Sequence, residues 1–176
     1  MAKIIRNGSI VDDAWTVLTP AAGETPEQVV LPAGRLLVPL AVWRARWQEL
    51  AERQKEHGWA LGLWLAGDEG PELIADELGD FSVIAIAFSR FSDGRGYSTA
   101  RLLRSRYGYS GELRAIGDVL RDQLFYLRRV GFDAFAVRTD KSIEQALAGL
   151  TDFSAVYQGA NDASLARRES ALRRVA

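Results

Sequence analysis

The chain has 176 residues, 48% of them hydrophobic and 26% charged, which is the composition of a single soluble globular domain. Its formal net charge of -1 excludes a general attraction to nucleic acid or membranes, so we expect neither partner and assign any anion affinity to a local cluster. The absence of cysteine excludes disulfides, iron–sulfur ligation and thiolate zinc sites, and with a single histidine, His57, we predict no metal site.

The N-terminus carries neither the apolar core nor the small-residue cleavage site of a signal peptide. No apolar run reaches the ~20 residues that a membrane-spanning helix needs. We therefore expect a cytoplasmic protein.

The first segment of the chain, KIIRNGSIVDDAWTVL, predicts a β-hairpin. Asn7 and Gly8 form the dipeptide that accepts the positive φ angles of a type I′ turn, and isoleucine and valine flank it on both sides. The following stretch contains three prolines and is predicted to be a loop. We predict that residues 1–34 form an appendage packed on the main body.

From residue 35 onward, patterns typical of strands and helices alternate. The predicted strands are RLLVPL, WALGLWLA, FSVIAIAF, ELRAIGD, DAFAVR and FSAVYQ. The almost uninterrupted apolar run FSVIAIAF is typical of a strand buried on both faces, as in parallel sheets. The alternation predicts an α/β domain over residues 35–159, with a mainly parallel sheet of about five to six strands and right-handed βα units. Residues 160–176 are predicted to form a polar C-terminal tail.

Two arrangements of this sheet fit the pattern, an open three-layer sheet and a partial barrel, and both bind ligands at the carboxyl ends of their strands. The loop after FSVIAIAF is the strongest candidate for a site, because Gly94 and Gly96 let the backbone approach a ligand and Arg95 offers a forked donor. We expect Ser98 or Thr99 to cap the next helix, whose free N–H groups would receive an anion. The predicted anion-binding residues are Arg90, Asp93, Gly94, Arg95, Gly96, Tyr97, Ser98, Thr99, Asp118 and Arg138.

Ordinary structural roles compete with this interpretation. An Asp-Gly turn before a serine cap is a routine connection, and Asp118 is expected to cap the helix that follows it. We expect the arginines of the helix STARLLRSRYG, which are Arg101, Arg104 and Arg106, to cover a solvated outer face.

The loop also matches part of a dinucleotide-binding fingerprint. Gly94 and Gly96 follow a strand, and Asp118 ends the next strand about 20 residues later, as that motif requires. The third glycine position is Thr99, however, so the match is incomplete. A serine triad lacks a suitably placed histidine, and a pair formed by Asp93 and Asp118 is the remaining acid–base arrangement that we consider.

Residues 91–135 carry the series DGRGYS, ARLLR, GELRA, GDVL, DQL and GFDAF. This series resembles the bacterial domain-of-unknown-function family 934, and the segments IIRNGSIVDDAW and LLVPLAVW are similar to it as well. Members of that family carry a label that names an oxidoreductase of sulfite reduction. The resemblance implies a place in assimilatory sulfate reduction, and it brings no catalytic residues to this chain.

Two functions follow from the residues and the resemblance together. In the first, the protein is a non-catalytic accessory of sulfite reductase that binds a small anionic ligand, such as sulfite or the carboxylates of sirohaem. In the second, it is an oxidoreductase that binds a nicotinamide cofactor such as NADP, or a flavin, at the loop 94–99. Residue chemistry favours the accessory, because no catalytic set is visible, but it leaves open whether the protein is an enzyme. The tryptophan-rich helical pattern over residues 41–58 could cover a second copy, so a homo-oligomer is also considered.

Overall fold

A computed structural model describes residues 2–151. Its strands are β1 (Lys3–Arg6), β2 (Ser9–Asp12), β3 (Trp15–Val17), β4 (Arg35–Pro39), β5 (Leu61–Leu65), β6 (Val83–Phe88), β7 (Glu112–Gly117) and β8 (Ala134–Phe135). Its α-helices are α1 (Leu40–His57), α2 (Arg95–Ser105), α3 (Arg121–Val130) and α4 (Ile143–Ala148), with 3₁₀ helices at Pro71–Asp80 and Gly149–Thr151. The predicted strand FSAVYQ and the tail 160–176 lie outside the described residues.

All eight strands of the described residues join one mixed sheet in the order β2-β1-β8-β7-β6-β5-β4-β3. The strands from β3 to β8 run parallel to one another, whereas β1 pairs antiparallel with both β2 and β8. The α/β class and the N-terminal hairpin are confirmed. The predicted size was wrong, because the hairpin strands and β3, which we assigned to an appendage, extend the parallel strands into a larger mixed sheet.

The sheet curls into a half-barrel, which is the partial-barrel alternative of the sequence analysis. A large hydrophobic core lies between the strands and the helices, where residues such as Leu63, Ile84 and Phe88 are almost completely buried. The opposite face of the strands, which we call the inner face, carries Leu37, Trp64, Ala85, Ala87, Ile116 and Ala136. In the part of the chain that the structure describes, no helix combines the length and apolar character needed to cross a membrane.

The hairpin turn has the predicted geometry. Asn7 and Gly8 both have positive φ angles, of 50° and 76°, as a type I′ turn requires. The amide of Asn7 donates a hydrogen bond to the carbonyl of Asp133 at 2.8 Å, and Ile5 pairs with Phe135. The hairpin is thus built into the sheet beside β8.

Arg104 corrects one prediction about the outer face of α2. Its side chain is only 17% exposed and its Nη2 lies 2.8 Å from a carboxylate oxygen of Asp133. Its other nitrogens donate to the carbonyls of Tyr109, Gly111 and Gly131 at 2.7 to 2.9 Å. The prediction of a solvated face was wrong for Arg104, which ties α2 to the two loops at the amino ends of β7 and β8. Its helix neighbour Arg101 is exposed, as predicted.

Candidate functional site

An open cleft of about 530 Å³ lies on the inner face, where the central strands end. Ala87 and Ile116 are paired across β6 and β7, and Ala136 follows directly after β8. These side chains, from three neighbouring parallel strands, form an apolar floor. The complete lining is Val17, Thr19, Trp64, Ala87, Ile116, Gly117, Ala136, Val137, Arg138 and Thr139.

The depth of the cleft comes from small side chains on the inner face. Side chains alternate between the two faces of a strand, so the large Ile86 and Phe88 of β6 point to the helices while Ala87 points to the cleft. Trp64 of β5 borders this floor, and its indole Nε1 donates a hydrogen bond to the carbonyl of Leu18 at 2.9 Å. That bond fixes the indole as one side of the cleft.

Arg138 stands at the mouth of the cleft and, among the described residues that line it, is the one with a charged side chain. Its Nη1 lies 2.9 Å from Oδ1 of Asp118, and its Nε and Nη2 each lie 2.9 Å from an oxygen of Asp140. Hydrogen bonds from Arg138 lower the pKa of the Asp140 carboxyl, and the same contacts raise the pKa of Arg138. The guanidinium therefore joins the loop after β7 to the loop after β8.

Asp118 connects a third loop to this pair. Its second carboxylate oxygen accepts a hydrogen bond from the backbone N–H of Phe91 at 2.9 Å, in the loop after β6. The prediction that Asp118 caps the next helix was wrong, since α3 begins at Arg121 and the amide of Leu120 donates to the side chain of Gln123 at 2.9 Å. Asp118 instead holds together the loops at the carboxyl ends of β6, β7 and β8.

Gly117 sits where β6 and β7 end, with a φ angle of 89°. A Cβ atom at this position would lie against the carbonyl oxygen of Phe88. Both the left-handed conformation and the close backbone approach require glycine here. Gly117 thereby fixes the edge of the cleft next to Asp118.

In the loop between β6 and α2, which the sequence analysis favoured as an anion site, the arginine binds an aspartate of the same loop. Nε and Nη2 of Arg95 donate to the two carboxylate oxygens of Asp93 at 2.9 and 2.8 Å, and the backbone N–H of Arg95 donates to Oδ1 at 3.2 Å. Hydrogen bonds from Arg95 lower the pKa of Asp93 to about 2. The carboxylate of Asp93 thus occupies the start of α2, where we had placed an external anion.

The two glycines of this loop have different surroundings. A Cβ atom on Gly96 would lie 2.8 Å from the ring of Phe88 and 3.0 Å from Ile86, so this glycine allows α2 to pack closely on β6. A Cβ atom on Gly94 would have no neighbour within 4 Å. Gly96 therefore serves helix–sheet packing, which is the role of the third glycine in a dinucleotide fingerprint and not of the phosphate-binding one.

The remaining predicted residues of this loop point to structural roles. The prediction of a Ser98 or Thr99 cap was wrong, because α2 begins at Arg95 and has no side-chain cap. Thr99 is buried, and its hydroxyl donates back to the carbonyl of Arg95 at 3.4 Å. The ring of Tyr97 packs against Phe88 with 5.6 Å between ring centres, and burial raises the pKa of its phenol. Arg90 is exposed.

The structure therefore divides the predicted site into two groups. Asp118 and Arg138 meet at the cleft, whereas Asp93 and Arg95 close on each other. Within residues 2–151, no three acidic, histidine or cysteine side chains come together in a way that could hold a metal ion.

A family model described as "Bacterial protein of unknown function (DUF934)" matches residues 62–167. The chain belongs to this family. The DUF934 match begins in β5 and includes the cleft floor, Asp118 and Arg138, so the resemblance seen in the sequence is confirmed. No curated protein matches the chain.

Sequence reasoning missed the floor of the cleft in this DUF934 chain. Trp64, Ala87, Ile116 and Ala136 look like ordinary core residues of buried strands. One signal was present: the small residues Ala85 and Ala87 alternate along β6 with the large Ile84, Ile86 and Phe88. That alternation indicates one crowded face and one face with free space.

Proposed function

We propose that the protein is a non-catalytic accessory of sulfite reduction that binds an anionic ligand in the inner-face cleft, with Arg138 as the contact to the anion. One observation carries the proposal: Arg138 is the charged residue at the mouth of an open cleft at the carboxyl ends of parallel strands. The place in sulfite reduction, with sulfite reductase as partner, comes from the family resemblance alone.

The ion pairs of Arg138 support its role as an exchangeable anion contact. The side chain of Asp140 is 51% exposed and can turn into solvent, whereas that of Asp118 is 26% exposed and also holds the amide of Phe91. An incoming phosphate, sulfate or carboxylate can replace Asp140 on the Nε–Nη2 edge of Arg138 while Asp118 keeps the guanidinium in position. The ligand would thus meet a donor that is already oriented.

Arg95 offers no such exchange. Its partner Asp93 is only 11% exposed, and besides the guanidinium it binds the amide at the start of α2. Displacing Asp93 would also break its hydrogen bond to the backbone N–H of Arg95 at the start of α2. Arg95 is therefore a suitable control for Arg138, with a similar forked ion pair outside the cleft.

The lining of the cleft favours binding over catalysis. Apart from the Arg138 guanidinium and the hydroxyls of Thr19 and Thr139, the side chains that line it in the described part of the chain are apolar. General acid–base or nucleophilic chemistry needs a proton donor, a base or an activated nucleophile beside the ligand. The oxidoreductase alternative, with NADP or flavin at the loop 94–99, has less support, because Asp93 and the packing of Gly96 take up that loop.

Equilibrium binding of anions to the purified protein tests the proposal. We expect at least one anion among sulfite, sulfate, FMN, NADP and sirohaem to raise the melting temperature and to bind in a calorimeter. Arg138→Gln should lose this binding, and Arg95→Gln should retain it. Unchanged binding to Arg138→Gln would overturn the assignment of the site.

The accessory role has a separate test. We expect the protein to co-elute with sulfite reductase in size-exclusion chromatography and to show no turnover of reduced nicotinamide or flavin when it is alone. Turnover by the isolated protein would instead support the oxidoreductase alternative.

A further inference from the structure

The size of the cleft argues against an inorganic anion as its complete occupant. A volume of about 530 Å³ falls within the range of roughly 300–1,000 Å³ that small-molecule and cofactor sites occupy. A sulfite or sulfate ion is only a few times larger than the ~30 Å³ that one water molecule takes up in the liquid. Most of the cleft would then remain filled with water against apolar walls.

The floor of the cleft is suited to a flat apolar surface. Ala87 and Ile116 are paired across β6 and β7, Ala136 follows directly after the neighbouring β8, and none of their side chains offers a hydrogen-bonding group. Trp64 adds an aromatic side chain whose only polar atom is already bonded to Leu18. A ligand gains from covering this floor only through apolar contact and ring packing.

The polar groups of the lining lie at the loops and not on the floor. Arg138 and Thr139 follow β8, and Thr19 follows β3. A ligand that contacts both the apolar floor and the polar loop residues needs an apolar body and an acidic end. The apolar body would lie over the alanines, and the acidic group would reach the guanidinium.

We infer that the cleft binds a planar conjugated ring system that carries an acidic group, with the ring on the floor formed by Ala87, Ile116 and Ala136 and the acid on Arg138. This inference rests on the proposed function, since it names the class of ligand for the same site. Flavin phosphates and tetrapyrrole carboxylates share this chemistry, and they differ in the size of the ring and in the acid. The inference concerns binding and involves no transfer of electrons.

The experiment measures dissociation constants of the full-length protein for four probes: FMN, riboflavin, sirohaem and sulfite. We expect FMN or sirohaem to bind and to quench tryptophan fluorescence. If FMN is the better probe, riboflavin, which has the same ring without the phosphate, should bind about tenfold more weakly or worse, because it lacks the charged hydrogen bonds to Arg138. If sirohaem is the better probe, Arg138→Gln should weaken it by a similar factor.

Two substitutions test the position of the ring. Ala136→Leu adds bulk to the floor and should weaken ring binding about tenfold or more, because the larger side chain would fill space above the alanine that the ring would occupy. Ala87→Leu on β6, on the other side of β7, repeats the test, and circular dichroism checks that each variant is folded. Ala41→Leu, at an exposed position of α1, is the matched control and should bind like the unaltered protein.

The outcomes separate this inference from the proposal on which it rests. Sulfite binding that depends on Arg138, without binding of any ring, overturns the inference and leaves the proposed function standing. Ring binding that both leucine variants retain also overturns the inference. Failure of every probe to bind in a manner that depends on Arg138 overturns both.

Discussion

Arg95 and Asp93 form a forked ion pair across a single intervening residue, with Nε 2.9 Å from Oδ1 and Nη2 2.8 Å from Oδ2. The same carboxylate accepts the backbone N–H of Arg95 at the start of α2. The combination of a glycine-rich loop, an arginine and a helix N-terminus suggests a site for an external anion. Here the carboxylate of Asp93, a residue of the loop itself, binds the arginine and the helix N-terminus in place of such an anion. Arg138, whose carboxylate partner Asp140 is half exposed, carries the proposed site instead.

The first prediction concerns the pH dependence of the Asp93 interaction. Hydrogen bonds from Arg95 lower the pKa of Asp93 to about 2, below the ordinary value of about 3.9 for an aspartate. Because the folded pKa is the lower one, ionised Asp93 stabilises the fold fully above the unfolded pKa, and this stabilisation is lost as the pH falls through the folded pKa. Asp93→Asn should therefore be less stable than the unaltered protein near neutral pH.

The difference in unfolding free energy between the two proteins should shrink from about pH 4 toward pH 2. Urea denaturation at a series of pH values measures it. A difference that stays constant over this range would show that the charge of Asp93 does not stabilise the fold.

The second prediction compares the two glycines of the same loop. Gly96→Ala should destabilise the protein by about 1–3 kcal/mol, because its methyl group would push α2 away from Phe88 and Ile86. Gly94→Ala is the control, since its φ of -82° and ψ of -9° suit alanine and the space around it is open. This variant should be neutral or more stable by up to about 1 kcal/mol. Chemical denaturation measures both, and equal effects would contradict a packing role for Gly96.

The elements that local patterns describe were predictable from the sequence. The turn at Asn7 and Gly8 and the buried run of β6 carry strong local signals, and the structure contains both. The position of the hairpin is not local information: β1 pairs with β8, more than a hundred residues away, through Ile5 and Phe135. The short β3 also carries too few residues for its periodicity to predict a strand.

The candidate site was also predictable only in part, because local patterns show which residues follow each strand but not every contact that the fold creates. The rule that strand ends gather polar side chains identified Asp118 and Arg138, which do meet. The pairing of Asp93 with Arg95 could have been suspected from their close spacing. The hydrogen bonds of Arg104 could not be predicted, because the carbonyls that it binds belong to loops that come close together only in the folded sheet.

The third prediction concerns Arg104 and Asp133. Burial raises the pKa of the Asp133 carboxyl, and Arg104 is the charge that opposes this effect most strongly. Arg104→Ala should cost roughly 2 kcal/mol at neutral pH, because charged hydrogen bonds to carbonyls and to Asp133 are lost.

The stability lost in Arg104→Ala should depend on pH in a defined direction. Without Arg104 the folded pKa of Asp133 should rise further, so protonation on acidification should remove part of the loss. Denaturation at neutral pH and near pH 5 measures the change. Arg101→Ala, at an exposed position of the same helix, should change stability by no more than about 0.5 kcal/mol. A loss that grows on acidification would contradict this account.

The last prediction concerns Arg114, a charged residue of β7 that lies on the inner face of the sheet. The side chain of Arg114 is 1% exposed, and it lies 2.9 Å from Asp13 and 2.6 Å from Glu112. Removing one member of a buried ion pair leaves the other charge without compensation, which costs about 3–5 kcal/mol. Arg114→Ala should therefore lose about this much stability in urea denaturation.

Two further variants separate lost charge compensation from lost packing. Asp13→Asn and Glu112→Gln, added to Arg114→Ala, remove the two carboxylates as well and should recover most of the loss, because no unpaired charge remains buried. Arg44→Ala breaks the more exposed pair with Glu77 and should cost no more than about 1 kcal/mol. If the triple variant is as unstable as Arg114→Ala, the arginine contributes through its packing between the strands, and the carboxylates are not the cause of the loss.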